Sequence, residues 1–208
     1  MKNIINCTVN DNHLIKSKLR EVSVEEGRTI ATELFQILNK RGDGIGLASN
    51  QVGIDAQVAV VNVRKPIILI NPKIIDQWEE VPYYEGCLSF PGQAIRTQRY
   101  RHIIVKSADV DCQYYFSAAG SPKGAKGSWE ASAKHDQDQG LLEAICVQHE
   151  IDHLNGVTIH DREKNLEPVK SEKKIGRNDL VTIKKGDAVK VLKYKKAQKF
   201  LNQGWVME

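Results

Sequence analysis

Gln148-His149-Glu150-Ile151-Asp152-His153 is the segment of this 208-residue chain best equipped for chemistry. Histidines four residues apart stand one above the other on a helix and can share a metal ion, and the glutamate beside the first can reach a water on that ion as general base. A charged helix also produces such a pattern by chance. An open metal site needs a third protein ligand and one free position. Downstream, His160, Asp161 and Glu163 have suitable side chains; upstream, Cys87 lies in Glu85-Gly86-Cys87-Leu88-Ser89, a segment with the look of a glycine-flanked turn. A lone cysteine is more commonly a small buried hydrophobe than a ligand. A further block, Gly44-Ile45-Gly46-Leu47-Ala48-Ser49-Asn50-Gln51-Val52-Gly53, joins glycines that permit close backbone approach to a ligand with Gln51, whose amide can donate to a developing oxyanion.

Taken in order, GIGLASNQVG at 44–53, EGCLS at 85–89 and QHEIDHLNG at 148–156 resemble the three signature motifs of peptide deformylases. These are metal hydrolases that remove the formyl group from the N-terminal methionine of nascent proteins and release formate. The resemblance covers roughly residues 1–165 and implies an α+β fold, with antiparallel β-sheets around a central metal-binding helix. It implies Cys87, His149 and His153 as metal ligands, Glu150 as general acid/base, and Gln51 with the backbone N–H of Leu88 as oxyanion hole. Ile45, Gly46 and Gly86 would present backbone groups to a substrate peptide docked like an added strand. It also implies one divalent ion per chain, Fe²⁺ as the native one, with Zn²⁺, Ni²⁺ or Co²⁺ as alternative occupants; a thiolate ligand by itself admits zinc readily. Two departures from the family stand out: Ser49-Asn50 is more polar than usual, and the stretch 117–140 is longer.

Specificity for methionine has a candidate basis in Leu142, Ile145 and Cys146. They precede His149 on the same helical face and, with Ile45, can line an apolar slot for an unbranched thioether. Plain core packing is an equal alternative for Leu142, and Tyr83 is a weaker candidate. Asp152 is placed to orient a ligand or a neighbouring arginine, and Glu85 with Arg99 is a candidate supporting ion pair.

The elements that must position these groups are partly legible. Val24 to Lys40 carries Ile30, Leu34, Ile37 and Leu38 at helical spacing, with a glycine-rich stop after it. Gln57 to Val63, Pro66 to Ile70 and His102 to Lys106 read as strands. Ser117 to Gly140 has little periodicity and reads as a long surface loop. Leu141 to Leu154 is the clearest helix, stopped by Asn155-Gly156. Beyond Pro168, Leu180 to Lys184 and Val189 to Tyr194 flank Lys185-Gly186-Asp187 as a hairpin, with a short helix over Lys195 to Asn202. The expected organisation is a catalytic domain over 1–168 and a basic extension over 169–208.

With 41% hydrophobic residues the chain can build a real core. Its four cysteines are scattered and no secretory leader precedes them, so a disulfide framework is not expected. The longest apolar run, Pro66 to Ile70, is far too short to span a bilayer. Residues 170–208 hold 11 Lys and Arg against 4 Asp and Glu, a balance of +7 that leaves the remainder at −3. That basic tail invites contact with the ribosome, where formylated nascent peptides emerge, although a solvated lysine-rich module is an equal reading. Neither membrane attachment nor sequence-specific nucleic-acid binding is expected. The expected location is the cytoplasm, bacterial or, for a phage-encoded chain, that of the host. Two rivals are a zinc protease of the HExxH kind, which takes its third ligand after the helix, and a deformylase-shaped binding module without turnover.

Overall fold

A computed structural model describes residues 2–8, 13–117, 133–163, 178, 180–186, 188–201 and 203–207. The chain divides into two compact units, Met1–Lys164 and Asn165–Glu208. The elements in order are α1 (Val24–Arg41), β1 (Gly46–Ala48), β2 (Val58–Asn62), β3 (Pro66–Ile70), β4 (Lys73–Cys87), β5 (Phe90–Lys106), β6 (Gln113–Ser117), α2 (Ala133–Leu154), β7 (Leu180–Lys185), β8 (Ala188–Lys193), α3 (Tyr194–Leu201) and β9 (Val206–Met207).

α1 begins where Ser23 caps it, its side chain accepting the Glu26 N–H at 3.2 Å, and ends at Gly42, whose φ of 79° suits a residue without Cβ. Ala31, Leu34, Ile37 and Leu38 form its buried stripe. They pack on an antiparallel sheet of order β1-β2-β3, against Val58, Val60 and Ile70. The alternate residues of the same strands, Ala59, Val61 and Leu69, turn to the opposite face and join a second cluster with α2. The sheet is therefore covered on both faces, which is why Pro66 to Ile70 is an unbroken apolar run rather than an alternating one.

The other side of α2 packs on a second antiparallel sheet, β4-β5-β6, through Ile103, Val105 and Phe116. Most of it is the long β4–β5 hairpin, paired from Lys73↔Lys106 to Cys87↔Phe90, with a register shift between Glu85 and Cys87. Every residue of α2 from Glu143 to Leu154 is buried, including Gln148, His149, Glu150, Asp152 and His153. The helix end is tied to the N-terminal region by Leu19 N–H donating to the Leu154 carbonyl at 3.0 Å. Asn50 Nδ2 donates to the His153 carbonyl at 2.6 Å and Ser49 Oγ donates to the Ala56 carbonyl, so the polar pair Ser49-Asn50 has internal partners.

The expected loop over Ser117–Gly140 needs correction at its ends. Ser117 closes β6, and Ala133 to Gly140 forms the first two turns of α2; residues 118–132 lie outside the described residues. The second unit matches the expected hairpin and short helix: β7 is central in a sheet of order β8-β7-β9, Ile183 and Ala197 are fully buried, and Lys190 Nζ lies 5.2 Å over the Phe200 ring and 5.5 Å over Trp205. Lys170 to Lys174 lies outside the described residues.

Gly156 stops α2 with φ 74°, and a Cβ there would lie 2.7 Å from the backbone of Lys16. Gly156→Ala should therefore suffer the left-handed penalty of about 1–2 kcal/mol together with a backbone clash. A fall of about 4 °C or more in the thermal midpoint is expected by circular dichroism. An unchanged midpoint would show that the Lys16–Ser17 segment gives way freely.

Candidate active site

His149 and His153 face one another across one turn of α2, with ring centroids 4.8 Å apart and Nε2 atoms 3.2 Å apart. Cys87, at the end of β4, brings Sγ to 3.3 Å from His153 Nε2. These three form the one group among the described residues able to hold a metal ion, with ligand atoms all within 4.8 Å of one another and all three residues buried. Donors about 2.0–2.3 Å from one ion in tetrahedral arrangement are themselves a little over 3 Å apart, so the spacing fits an ion. The downstream alternatives point elsewhere. His160 Nε2 lies 2.6 Å from Gln93 Oε1, Asp161 takes a 2.5 Å hydrogen bond from Lys16, and Glu163, whose backbone bridges to that of Thr97, is not in the metal-competent group.

The orientation of His149 comes from its other ring nitrogen, Nδ1, 2.8 Å from Glu85 Oε2, which leaves Nε2 facing Cys87 and His153. Glu85 is held by Arg99 Nε at 2.5 Å and Nη2 at 3.0 Å, and by the Thr97 hydroxyl. Arg99 in turn donates to Asp152 Oδ2 at 2.5 Å, and Arg162 reaches both oxygens of Asp152 at 2.6 and 2.9 Å. Burial alone would raise the Glu85 pKa, but the hydrogen bonds from His149 and Arg99 outweigh it and bring it down to about 2. For His153, burial and then the charges of His149 and Arg99 hold the ring well below its ordinary pKa, in the neutral form a ligand needs.

Glu150 is fully enclosed, and burial, reinforced by the Glu85 charge, lifts its carboxyl to about 7 against the pull of His149 and Arg99. Its Oε2 is buried with no hydrogen-bond partner among the described residues. A buried carboxylate oxygen without a partner is costly, and it marks where a ligand group belongs. Gly46 makes this arrangement possible: a Cβ there would strike the Glu150 carboxylate and lie 2.7 Å from Cys146 Sγ.

Gln51 sits in a 3₁₀ helix, Ser49–Val52, that follows β1, and is 1% exposed. Its Oε1 accepts the Ala48 N–H at 2.9 Å, which directs Nε2 toward Ser89 Oγ at 3.2 Å and Cys87 Sγ at 3.7 Å. Leu88 occupies the tight turn between Cys87 and Phe90. A cavity of about 480 Å³ opens onto these groups, and Gln51, Cys87, Leu88, His149 and Glu150 all line it. So do Ile45, Gly46, Gly86, Leu142, Ile145 and Cys146. Tyr83 lines it too, with Tyr84, Phe90 and Arg41, whose places there have no signal in the sequence. Ser89 and Thr97, which hold Gln51 and Glu85, are likewise invisible to spacing arguments; only the neighbourhood of Ser89 to Cys87 in the EGCLS block could have drawn attention to it.

Comparison with known proteins agrees with this geometry. The family model described as polypeptide deformylase matches residues 3–169. The chain belongs to the polypeptide deformylase family. A peptide deformylase of Dictyoglomus thermophilum is 35% identical over 164 residues, covering 77% of this chain and 93% of the relative, and one of Psychrobacter arcticus is 30% identical over 181 residues, covering 85% and 86%. Among solved structures, the peptide deformylase of Thermotoga maritima superposes with a TM-score of 0.60 at 26% identity, covering 79% of this chain and 98% of that one. A peptide deformylase from Synechococcus elongatus in complex with actinonin gives 0.58 at 29%, covering 79% and 80%. The fold is α+β, and the chain is a hydrolase that removes the N-formyl group from nascent proteins. No described helix is long and apolar enough to cross a membrane.

The Glu85–Arg99–Asp152 chain is a buried ionic assembly, with Arg99 and Glu85 side chains each 3% exposed. Arg99→Leu takes both guanidinium hydrogen bonds from buried Glu85 and leaves Asp152 with Arg162 alone, and a loss of about 3–5 kcal/mol is expected in urea unfolding. A loss under about 1 kcal/mol would show that water or Arg162 compensates.

Proposed function

We propose that Cys87, His149 and His153 hold one divalent ion, Fe²⁺ in the native protein with Zn²⁺, Ni²⁺ or Co²⁺ as alternative occupants, and that Glu150, Gln51 and Leu88 carry out deformylation beside it. The observation that carries this reading is the buried Glu150 oxygen, unpartnered among the described residues, together with the converging donor atoms of Cys87, His149 and His153, the first two of which line the same cavity as Glu150. When bound, the ion polarises the formyl carbonyl and makes water a competent nucleophile at neutral pH. Glu150 takes the proton from the attacking water and returns it to the departing amine. Gln51 Nε2 and the Leu88 N–H donate to the oxygen on which negative charge develops. Ile45, Gly46 and Gly86 hold the peptide backbone, and Leu142, Ile145 and Cys146 line the methionine slot.

The thiolate of Cys87 donates strongly to an ion and exposes the centre to oxidation. Metal analysis of anaerobically purified protein, paired with a formate-release assay on formyl-Met-Ala-Ser, tests the assignment: about one equivalent of iron with activity that decays on aeration is expected. Activity that survives aeration would favour another ion, and chelator-resistant activity in metal-free protein would overturn the metal reading. A zinc protease would instead cleave internal peptide bonds, which the same assay distinguishes.

Gln51→Leu removes one oxyanion donor while keeping the shape of the side chain. Turnover should fall about 10²–10³-fold with little change in KM. Unchanged turnover would rule out the role given to Gln51.

The organisation we propose is a catalytic domain over residues 1–168 and an appended basic module over 169–208, in a cytoplasmic protein. Seven lysines fall between Lys184 and Lys199, and this charge supports association with the ribosome. Deleting residues 169–208 should weaken co-sedimentation with ribosomes, with an effect that fades as salt rises, and should spare turnover of short formyl-peptides. Equal co-sedimentation at low salt would remove the module from that role.

A further inference from the structure

The two groups read as oxyanion donors belong to different sheets. Gln51 follows β1 of the first sheet, whereas Leu88 lies in the hairpin turn of the second. Both must sit about 3 Å from the same developing charge, and an error of about 1 Å in such placement is enough to cost turnover roughly a hundredfold. Within the site, the Gln51 amide touches Ser89 Oγ at 3.2 Å. A second link is supplied from outside it by the N-terminal segment.

The N–H of Ile5 donates to the Gln51 carbonyl at 2.8 Å, and the N–H of Cys7 donates to the Ser89 carbonyl at 2.8 Å. Two N–H groups two residues apart on one short segment, outside any strand, thus reach both turns at once. The segment is itself fixed at each end. Ile4 packs on the α1 cluster, while Asn6 Oδ1 accepts the Thr8 N–H at 3.0 Å and its hydroxyl at 2.6 Å, closing a local turn. Ile5 also approaches Gly53 at the end of the Gln51 turn, its Cδ1 lying 3.6 Å from where a Cβ would stand. The backbone carbonyl, side-chain oxygen and side-chain nitrogen of Gln51 are thus all held, by Ile5, Ala48 and Ser89 respectively.

We propose that the backbone of Ile5–Cys7 is a positioning element that bridges the two sheets and sets the distance between the oxyanion donors. It touches neither substrate nor ion and acts through Gln51 and the Cys87–Phe90 turn. The proposal rests on the oxyanion reading of Gln51 and Leu88 given above.

Two measurements on the full, metal-loaded chain test it. By hydrogen exchange, the amides of Ile5 and Cys7 should be protected about as strongly as those of the strands they brace. For kinetics on formyl-Met-Ala-Ser, Ile5→Pro and Cys7→Pro delete one N–H each, while Ile5→Ala and Cys7→Ala keep it. The proline variants should lose about tenfold to a hundredfold in kcat with KM within about twofold and metal content unchanged. The alanine variants should lose far less. In a Gln51→Leu background, Ile5→Pro should add less than about twofold, because the donor it positions is already gone. Fast exchange at Ile5 and Cys7, equal losses in alanine and proline variants, or an undiminished Ile5→Pro effect on top of Gln51→Leu would each overturn the proposal. The exchange measurement decides even where a proline variant does not fold. A fully active Gln51→Leu would overturn the oxyanion reading beneath the proposal, whereas unprotected Ile5 and Cys7 amides alongside a slow Gln51→Leu would overturn the brace alone.

Discussion

A helix buried on all sides with polar residues along it is the constraint that shapes this molecule. From Glu143 to Leu154 every residue of α2 is buried, and six of those twelve are charged or polar. Each such group forfeits water and must find a partner inside. Much of the architecture supplies those partners. Arg64 takes Glu143, the Tyr100 backbone takes both ends of the Gln148 amide, Glu85 takes His149, and Arg99 with Arg162 takes Asp152. The atoms of this stretch left without a partner among the described residues, Glu150 Oε2 and His153 Nδ1, lie on the general-base candidate and on a member of the metal-competent group. Satisfaction elsewhere along the helix is what gives that residue of unmet polarity its meaning.

The same constraint explains why the first unit has two sheets. One sheet could cover only one side of α2, and its own second face would remain apolar; α1 covers that face. The layers α1, β1-β2-β3, α2 and β4-β5-β6 follow, and the cavity opens where β1, the β4–β5 turn and α2 converge. Gly46 is needed because β1 crosses α2 at the level of Glu150, closer than any side chain permits.

Much of this was legible from residues alone. α1 and β3 declare themselves, one by its helical stripe and cap and the other by its apolar run, and the hairpin of the second unit follows from its central Lys-Gly-Asp. The three motifs pointed to the residues that the fold brings together around the cavity. The long β4–β5 hairpin was seen only at its last five residues, because much of β4 faces solvent and its polar side chains hide the alternation. The first two turns of α2 have no helical signature in the sequence, since Ala133 to Gly140 lacks apolar periodicity. Thr97 carries no such signal: its contact with Glu85 joins the two strands of the hairpin, and no local pattern encodes it, whereas Ser89 stands inside the EGCLS block and Arg162 only ten residues beyond Asp152.

The groups of this centre come from Gly46, Gln51, Cys87, Glu150 and His153, and Cys87 and His153 alone are 66 positions apart. Local contacts cannot build such a centre, and a chain leaving the ribosome in order cannot complete it early. Until the end of α2 has emerged and been enclosed between the two sheets, the fragment has neither the paired histidines nor anything to bury them. Competence is thus acquired in one late, cooperative step, so an incomplete chain is an inert one.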